Sequence, residues 1–227
     1  IGTYRSSRNN LQPARNHHAE VGGSWTPDLE LASRRFLSST QRGLGPPRQS
    51  EPLNFEATAL LDLPRDPLVA GGPANTHGVN VMSTFWLTRE LETAVAEIGD
   101  LRFDHKDLKV TWRLPVSKTD PQARGCERSW SCTCIDPASP SKTCPYHAAD
   151  DHMKYLMQVF RDGKEPLDDD SPLFPTAEGK QVTAEKMVKL IDKLAELTGE
   201  PLFTKYGERR FGKHSWRSTG AVNFSNI

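Results

Sequence analysis

A mainly helical α+β fold, with one small antiparallel sheet and a Cys-rich insertion, is what the sequence predicts. Three observations carry that expectation. Apolar residues recur at helical spacing in three separate stretches beyond residue 80. Two short extended runs, the second rich in Val, Thr and Trp, lie between the first and second stretches. All 4 cysteines fall in one polar, Pro- and Ser-rich window after those runs.

Taken in order, residues 1–50 are rich in Arg, Asn, Ser, Gly and Pro. They hold one short helical candidate, residues 28–37, with Leu29, Leu31 and Phe36 but poor periodicity. The segment reads as the remnant of a preceding helical domain or as a disordered arm. Residues 51–227 form the main domain. Within it, residues 64–80 read as a loop on Pro64, Pro67, Gly71, Gly72, Pro73 and Gly78. Phe85, Leu87, Leu91, Ala94, Val95 and Ile98 then predict one helix, with Ser83 or Thr84 as its N-cap and Gly99 as its stop. Residues 101–103 and 109–116 predict strands joined by a polar link. Residues 119–147 are the Cys-rich insertion. A helix over 150–161 presents Met153, Leu156, Met157 and Phe160 on one face. Another over 183–198 presents Met187, Leu190, Ile191, Leu194 and Leu197, with Gly199 as its terminator. Residues 213–222 begin a further helix.

Hydrophobic residues make up 36% of the chain and charged residues 26%, which allows a core but leaves a polar surface. No run approaches the ~18–20 apolar residues of a membrane span. The first residues lack the apolar core of a secretory signal. An intracellular protein without a membrane partner is expected. The chain opens on Ile rather than Met, which reads as a fragment or a partial gene model. Lys+Arg and Asp+Glu are both 29, so overall charge gives no argument for nucleic acid. Locally it does: from residue 203 onward Lys205, Arg209, Arg210, Lys213 and Arg217 face a single acid, Glu208.

Three segments matter as a set. Arg89-Glu90-Leu91-Glu92 runs toward Asp100-Leu101. Lys118 closes Leu114-Pro115-Val116-Ser117. His214-Ser215-Trp216-Arg217 comes last. Each alone has an ordinary reading: a helical Arg is usually solvated or salt-bridged, a Lys at a strand end is usually exposed, and a His-x-x-Arg spacing arises often by chance.

Their order and spacing resemble the catalytic domain of the tyrosine recombinase (phage integrase) family, of the mobile-element type. There a first Arg sits in an Arg-x-x-Glu helix that runs into a three-stranded sheet, matching Arg89 and Glu92. A Lys follows in the β-turn region, matching Lys118, and a His-x-x-Arg box much later, matching His214 and Arg217. Leu173-Phe174, Gly179 and Thr183 resemble the family's approach to the next helix. The resemblance spans roughly residues 53–227. It implies DNA as partner, cleavage and rejoining of strands through a 3′-phosphotyrosyl intermediate, no cofactor for the chemistry, a homo-oligomer on DNA in a full-length form, and a nuclear location.

Phosphodiester cleavage builds charge on the non-bridging oxygens, and two fixed guanidiniums are the natural stabilisers. Arg89 and Arg217 fill those places in the resemblance. Lys118 would protonate the leaving 5′ oxygen. His214 would shuttle a proton or bind the phosphate. Glu92 supports, orienting Arg89 or a neighbour, because a bare carboxylate repels phosphate. The family's nucleophilic Tyr lies beyond the His-x-x-Arg box, whereas Tyr4, Tyr146, Tyr155 and Tyr206 all precede it. The expectation is therefore a C-terminally truncated or decayed copy, catalytically incomplete as it stands.

Cys132-x-Cys134, nine residues, then Cys144 and His147 offer three thiolates and an imidazole. That set suits a small tetrahedral structural zinc site, although C-x-C is tighter than the usual spacing. The alternatives are reduced, unpaired cysteines or, in a secreted protein, one disulfide. A metal would supply folding energy that this polar loop lacks.

Three readings compete. One is a recombinase domain; the second is a non-catalytic, zinc-stapled DNA-binding or interaction module. The third is an unrelated helical protein, in which Arg89, Lys118, His214 and Arg217 would lie far apart. The recombinase reading requires those four to converge on one groove.

Overall fold

The computed structural model describes residues 7–41, 49–114, 125–161 and 167–225. The chain divides into two units, Ile1–Gln49 and Ser50–Ile227. In the first, α1 (Ser7–Glu20) and α2 (Pro27–Gln41) form a helical pair. Pro27 opens α2 where its missing N–H costs nothing, and Thr26 Oγ1 accepts the Leu29 N–H at 3.3 Å. Trp25 anchors the connection: its Nε1–H donates to Glu30 at 2.9 Å and its ring meets His18 edge-on. Helix α1 was not foreseen, because it carries Pro13 and few apolar residues.

The second unit runs α3 (Phe55–Leu60), α4 (Thr76–Phe85), α5 (Glu90–Ala94), a 3-10 turn at Ile98–Asp100, and β1 (Leu101–Asp104). It continues through β2 (Lys109–Leu114), β3 (Cys126–Ser131), α6 (Pro145–Arg161), α7 (Ala184–Leu197) and α8 (Ser215–Ser225). The fold is mixed α+β and mainly helical. Its three strands are antiparallel in the order β1-β2-β3, with Leu101 opposite Trp112 and Trp112 opposite Arg128. Val110, Trp112 and Leu114 alternate inward from β2 while Lys109 and Arg113 point to solvent, the period-2 pattern of a half-buried strand. Among the described residues no helix is long and apolar enough to cross a membrane.

Helix α4 is the axis of the core. All its residues from Gly78 to Phe85 are buried, with α6 and α8 packed against it. Buried polar groups on it are satisfied across elements. Asn80 donates to Thr58 Oγ1 at 3.0 Å and accepts from Trp216 Nε1 at 3.1 Å. Gly78 makes room for His152 of α6; a Cβ there would lie 2.9 Å from the imidazole Nδ1. That Nδ1 accepts from Asn75 Nδ2 at 2.9 Å, and Nε2–H donates to the Leu173 carbonyl at 2.7 Å. Helix α7 follows its sequence pattern except at its last turn: Thr183 caps it, Met187, Leu190, Ile191 and Leu194 are buried, Leu197 is exposed, and Gly199 closes it at φ 77.

Two expectations are corrected. Residues 64–80 are not one loop, since α4 begins at Thr76. The glycine counted as a breaker, Gly78, instead admits a neighbouring side chain. Nor is there one helix from Ser83 to Ile98. Helix α4 ends at Phe85, and Leu87 takes the left-handed conformation (φ 55). The Leu87 N–H bonds Thr84 O at 3.2 Å and the Thr88 N–H reaches back to Ser83 O at 3.0 Å. This is the paired bonding that terminates helices, with a leucine where glycine is usual, at a cost of roughly 1–2 kcal/mol. The apolar spacing runs through the break in sequence only: Phe85, Ala94 and Ile98 are buried, whereas Leu91 and Val95 of the same rhythm are exposed. Smaller shifts follow the same logic: α6 starts at Pro145, ahead of residue 150, because a first-position proline opens a helix well. Of the strand expected over 109–116, residues 115 and 116 lie outside the described residues.

Helix α8 crosses α4 at Gly220, where a Cβ would be driven into the Thr84 carbonyl and the Leu87 side chain. Gly220→Ala is expected to destabilise by about 2–3 kcal/mol, as overpacked cores do; an unchanged urea midpoint would contradict this. A second expectation concerns acid. Burial holds the His152 imidazole down at about 4, against an ordinary 6.5. Between those values the unfolded chain holds the extra proton. The stability this contributes, on the order of 3 kcal/mol, is complete above pH ~6.5 and lost as pH falls toward 4. An NMR titration in which folded His152 protonates near its ordinary value would contradict it.

Candidate functional site

Arg89 is the N-cap of α5, and the turn at Leu87 sets where it stands. Glu92, one turn later, accepts the Arg89 backbone N–H at 2.8 Å through Oε2. Arg89 has no acceptor to return the bond, so only half of a capping box is formed. The same Oε2 accepts from Arg217 Nη2 at 2.8 Å, and Oε1 lies 3.5 Å from Arg89 Nη1. Arg217 Nε–H donates to the Leu87 carbonyl at 2.7 Å. Two guanidiniums, one at the start of α5 and one from α8, thus share one carboxylate, leaving the three groups one positive charge in excess. The Glu92 side chain is 12% exposed and those of Arg89 and Arg217 are 23% and 30% exposed. They are sheltered from screening yet reachable from solvent. Arg89 Nε is buried without a hydrogen-bond partner among the described residues.

His214 stands exposed in the turn just before α8, one helical turn ahead of Arg217. It neighbours Glu90, whose N–H bonds the Lys213 carbonyl at 3.3 Å. Burial raises the Glu90 carboxyl above its ordinary value, against the pull of Lys213 and His214. Lys118 lies outside the described residues. Of the four residues singled out for phosphate chemistry, Arg89 and Arg217 meet at Glu92, while His214 precedes Arg217 by one helical turn and lies near Glu90. The basic C-terminal end is less free than its composition implied. Arg209 pairs with Asp192, and Arg210 pairs with Glu51 at 2.8 Å and Glu200 at 3.4 Å.

The second cluster lies where β3 leads toward α6. Cys132, Cys134, Cys144 and His147 bring one ligand atom each within 4.8 Å of one another. His147 Nδ1 sits 3.6, 3.5 and 3.3 Å from the Sγ atoms of Cys132, Cys134 and Cys144, and Cys132 and Cys144 are 3.8 Å apart. A tetrahedral ion with metal–sulfur bonds of about 2.3 Å and a metal–nitrogen bond of about 2.0–2.1 Å sets its ligand atoms about 3.5–3.8 Å apart. The four residues can hold a metal ion. Backbone amides donate to all three sulfurs: Thr133 N–H to Cys144 Sγ at 3.4 Å, Cys134 N–H to Cys132 Sγ at 3.4 Å, and Ser141 N–H to Cys134 Sγ at 3.2 Å. Burial alone would push Cys144 up, but the N–H groups of His147 and Thr133 outweigh it and bring the thiol to about 6. Burial pushes Cys134 up to about 11. All four cysteines are unbridged.

Leu87, Arg128, Trp130 and Gly220 support the arginines and were not singled out from sequence. Only Gly220, three residues after Arg217 in a helix, carried a signal. The carbonyl of Leu87 acts through its backbone, which its identity does not reveal. No known protein family matches the chain, and no curated protein sequence matches it significantly. Removing the shared carboxylate leaves two guanidiniums facing each other and an uncapped Arg89 N–H. Glu92→Ala is expected to destabilise by about 2–3 kcal/mol, as loss of one partner in a sheltered ion pair does. Denaturant titration would refute this by an unchanged midpoint.

Proposed function

We propose that the chain is a DNA-binding domain of the tyrosine-recombinase kind, whose Arg89 and Arg217 grip a backbone phosphate. The observation that carries the reading is the convergence of these two guanidiniums on Glu92 from segments over a hundred residues apart in sequence. Such a pair can meet a phosphate with paired, permanently charged donors, and its excess positive charge favours the anion. Glu92 orients both arginines and its charge is more than balanced by theirs, so the cluster presents no net negative charge to the ligand. His214, one helical turn ahead of Arg217, is available to hold or pass a proton at a phosphate oxygen. Lys118 would serve the leaving 5′ oxygen. Strand cleavage and rejoining would proceed through a tyrosyl phosphodiester, with a nucleophilic tyrosine from outside this sequence, on DNA in the nucleus and in an assembly of several copies. Zinc is the ion proposed for the Cys132, Cys134, Cys144 and His147 site, since three thiolates and an imidazole in a closed tetrahedral set suit it structurally.

The test is binding of a short fluorescent DNA duplex across a salt series. Arg89→Ala and Arg217→Ala should each weaken binding by about tenfold or more and lower the salt slope by about one. Arg217→Lys should keep the slope but lose affinity, because it keeps the charge and loses the paired donors. Folded variants that bind like the unaltered protein at every salt concentration would defeat the reading.

A further inference from the structure

Strand β3 is held weakly by its own composition. Cys126, Glu127, Ser129 and Ser131 are exposed, and only Arg128 and Trp130 are half-buried. It is an edge strand, paired on one side with β2. Yet it touches the end of α4, which leads into Arg89, and α8, which carries Arg217. Trp130 Nε1–H donates to the Phe85 carbonyl at 2.9 Å. Arg128 Nη1 donates to the Trp86 carbonyl, and Trp86 Nε1–H returns a bond to the Arg128 carbonyl at 2.8 Å. These bonds occupy the last carbonyls of α4, immediately ahead of Leu87. On its other side the Trp130 ring stacks on Phe224 of α8 at 4.9 Å, two turns beyond Arg217, and meets Phe85 edge-on at 5.1 Å.

The C-terminal end of β3 runs straight into Cys132, whose N–H bonds the Leu108 carbonyl at 2.8 Å. Cys132 and Cys134 are therefore both the end of the strand and half of the metal cluster. Cys144 and His147 tie the same cluster to the first turn of α6, which packs on α4. A bound ion would close a loop of contacts from α6 through β3 to the ends of α4 and α8.

We infer that a zinc-class divalent ion in the Cys132, Cys134, Cys144 and His147 cluster positions the Arg89 and Arg217 pair, through β3, for phosphate binding. Metal occupancy and DNA affinity are then linked, each raising the other. Arg128 and Trp130 are the positioning residues that relay the effect; neither reaches the phosphate. This rests on the phosphate reading of the arginine pair given above.

The experiment uses the full chain. Zinc content is measured alongside duplex binding for the zinc-loaded protein, after chelation with EDTA, and after restoring Zn²⁺. Zinc-loaded Arg128→Met and Trp130→Phe variants are measured in parallel. One zinc per chain is expected, with duplex affinity falling about tenfold or more on its removal and returning on its restoration. The two relay variants should keep their zinc and still lose several-fold in affinity. Should the metal-free chain unfold, the relay variants decide, because they remain metallated. A chain that retains no zinc overturns the inference. So do a folded metal-free chain or metallated relay variants that bind duplex at full affinity. If Arg89→Ala also binds at full affinity, the phosphate reading itself has failed, an outcome separate from a failed link between metal and arginines.

Discussion

The end of α4 is the constraint on which the second unit turns. A helix leaves its last carbonyls without partners, and here they are buried, so each must find a donor elsewhere. Trp130 and Arg128 take those of Phe85 and Trp86, while Arg217 takes that of Leu87. One buried helix terminus thus recruits an edge strand, a second helix and the residue before Arg89. The left-handed leucine is the cost of turning the chain sharply enough for Arg89 to cap α5 beside α8. The bonds across the turn offset it.

The same terminus explains why the arginine pair is held rather than merely near. An isolated surface ion pair contributes little, because water competes and long side chains lose freedom. Here Glu92 receives a backbone amide and two guanidiniums while mostly shielded from solvent, and Arg217 is fixed at a second point by the Leu87 carbonyl. A guanidinium restrained at two points has less freedom to lose on meeting an anion, which is the condition for preorganised charge.

How much of this could be read from the residues depended on whether the signal was local. The period of α7, with its Thr183 cap and terminal Gly199, was fully visible. The cysteine cluster was too, because its four ligands span only residues 132–147. The break at Leu87 was hidden because α4 and α5 present apolar residues in one continuous rhythm. Strand β3 was hidden because Cys-Glu-Arg-Ser-Trp-Ser has little alternation; its pairing comes from β2 and from the helix end it satisfies. The basic stretch around Arg209 and Arg210 read as free charge only because Asp192, Glu51 and Glu200 reach it through the tertiary fold.

Helix α8 is the last element of the described chain, and the core is unfinished until it docks. Trp216 fills the space beside Asn80, and Thr219 Oγ1 accepts the Leu53 N–H across 166 residues at 2.8 Å. A chain emerging from the ribosome therefore carries α3, α4 and the sheet with one flank of α4 uncovered until α8 is made. Contacts of such long sequence separation form late, since the loop they close must be ordered first. The arginine pair comes into being only at that closing step, so partly made chains expose apolar surface without yet having a site.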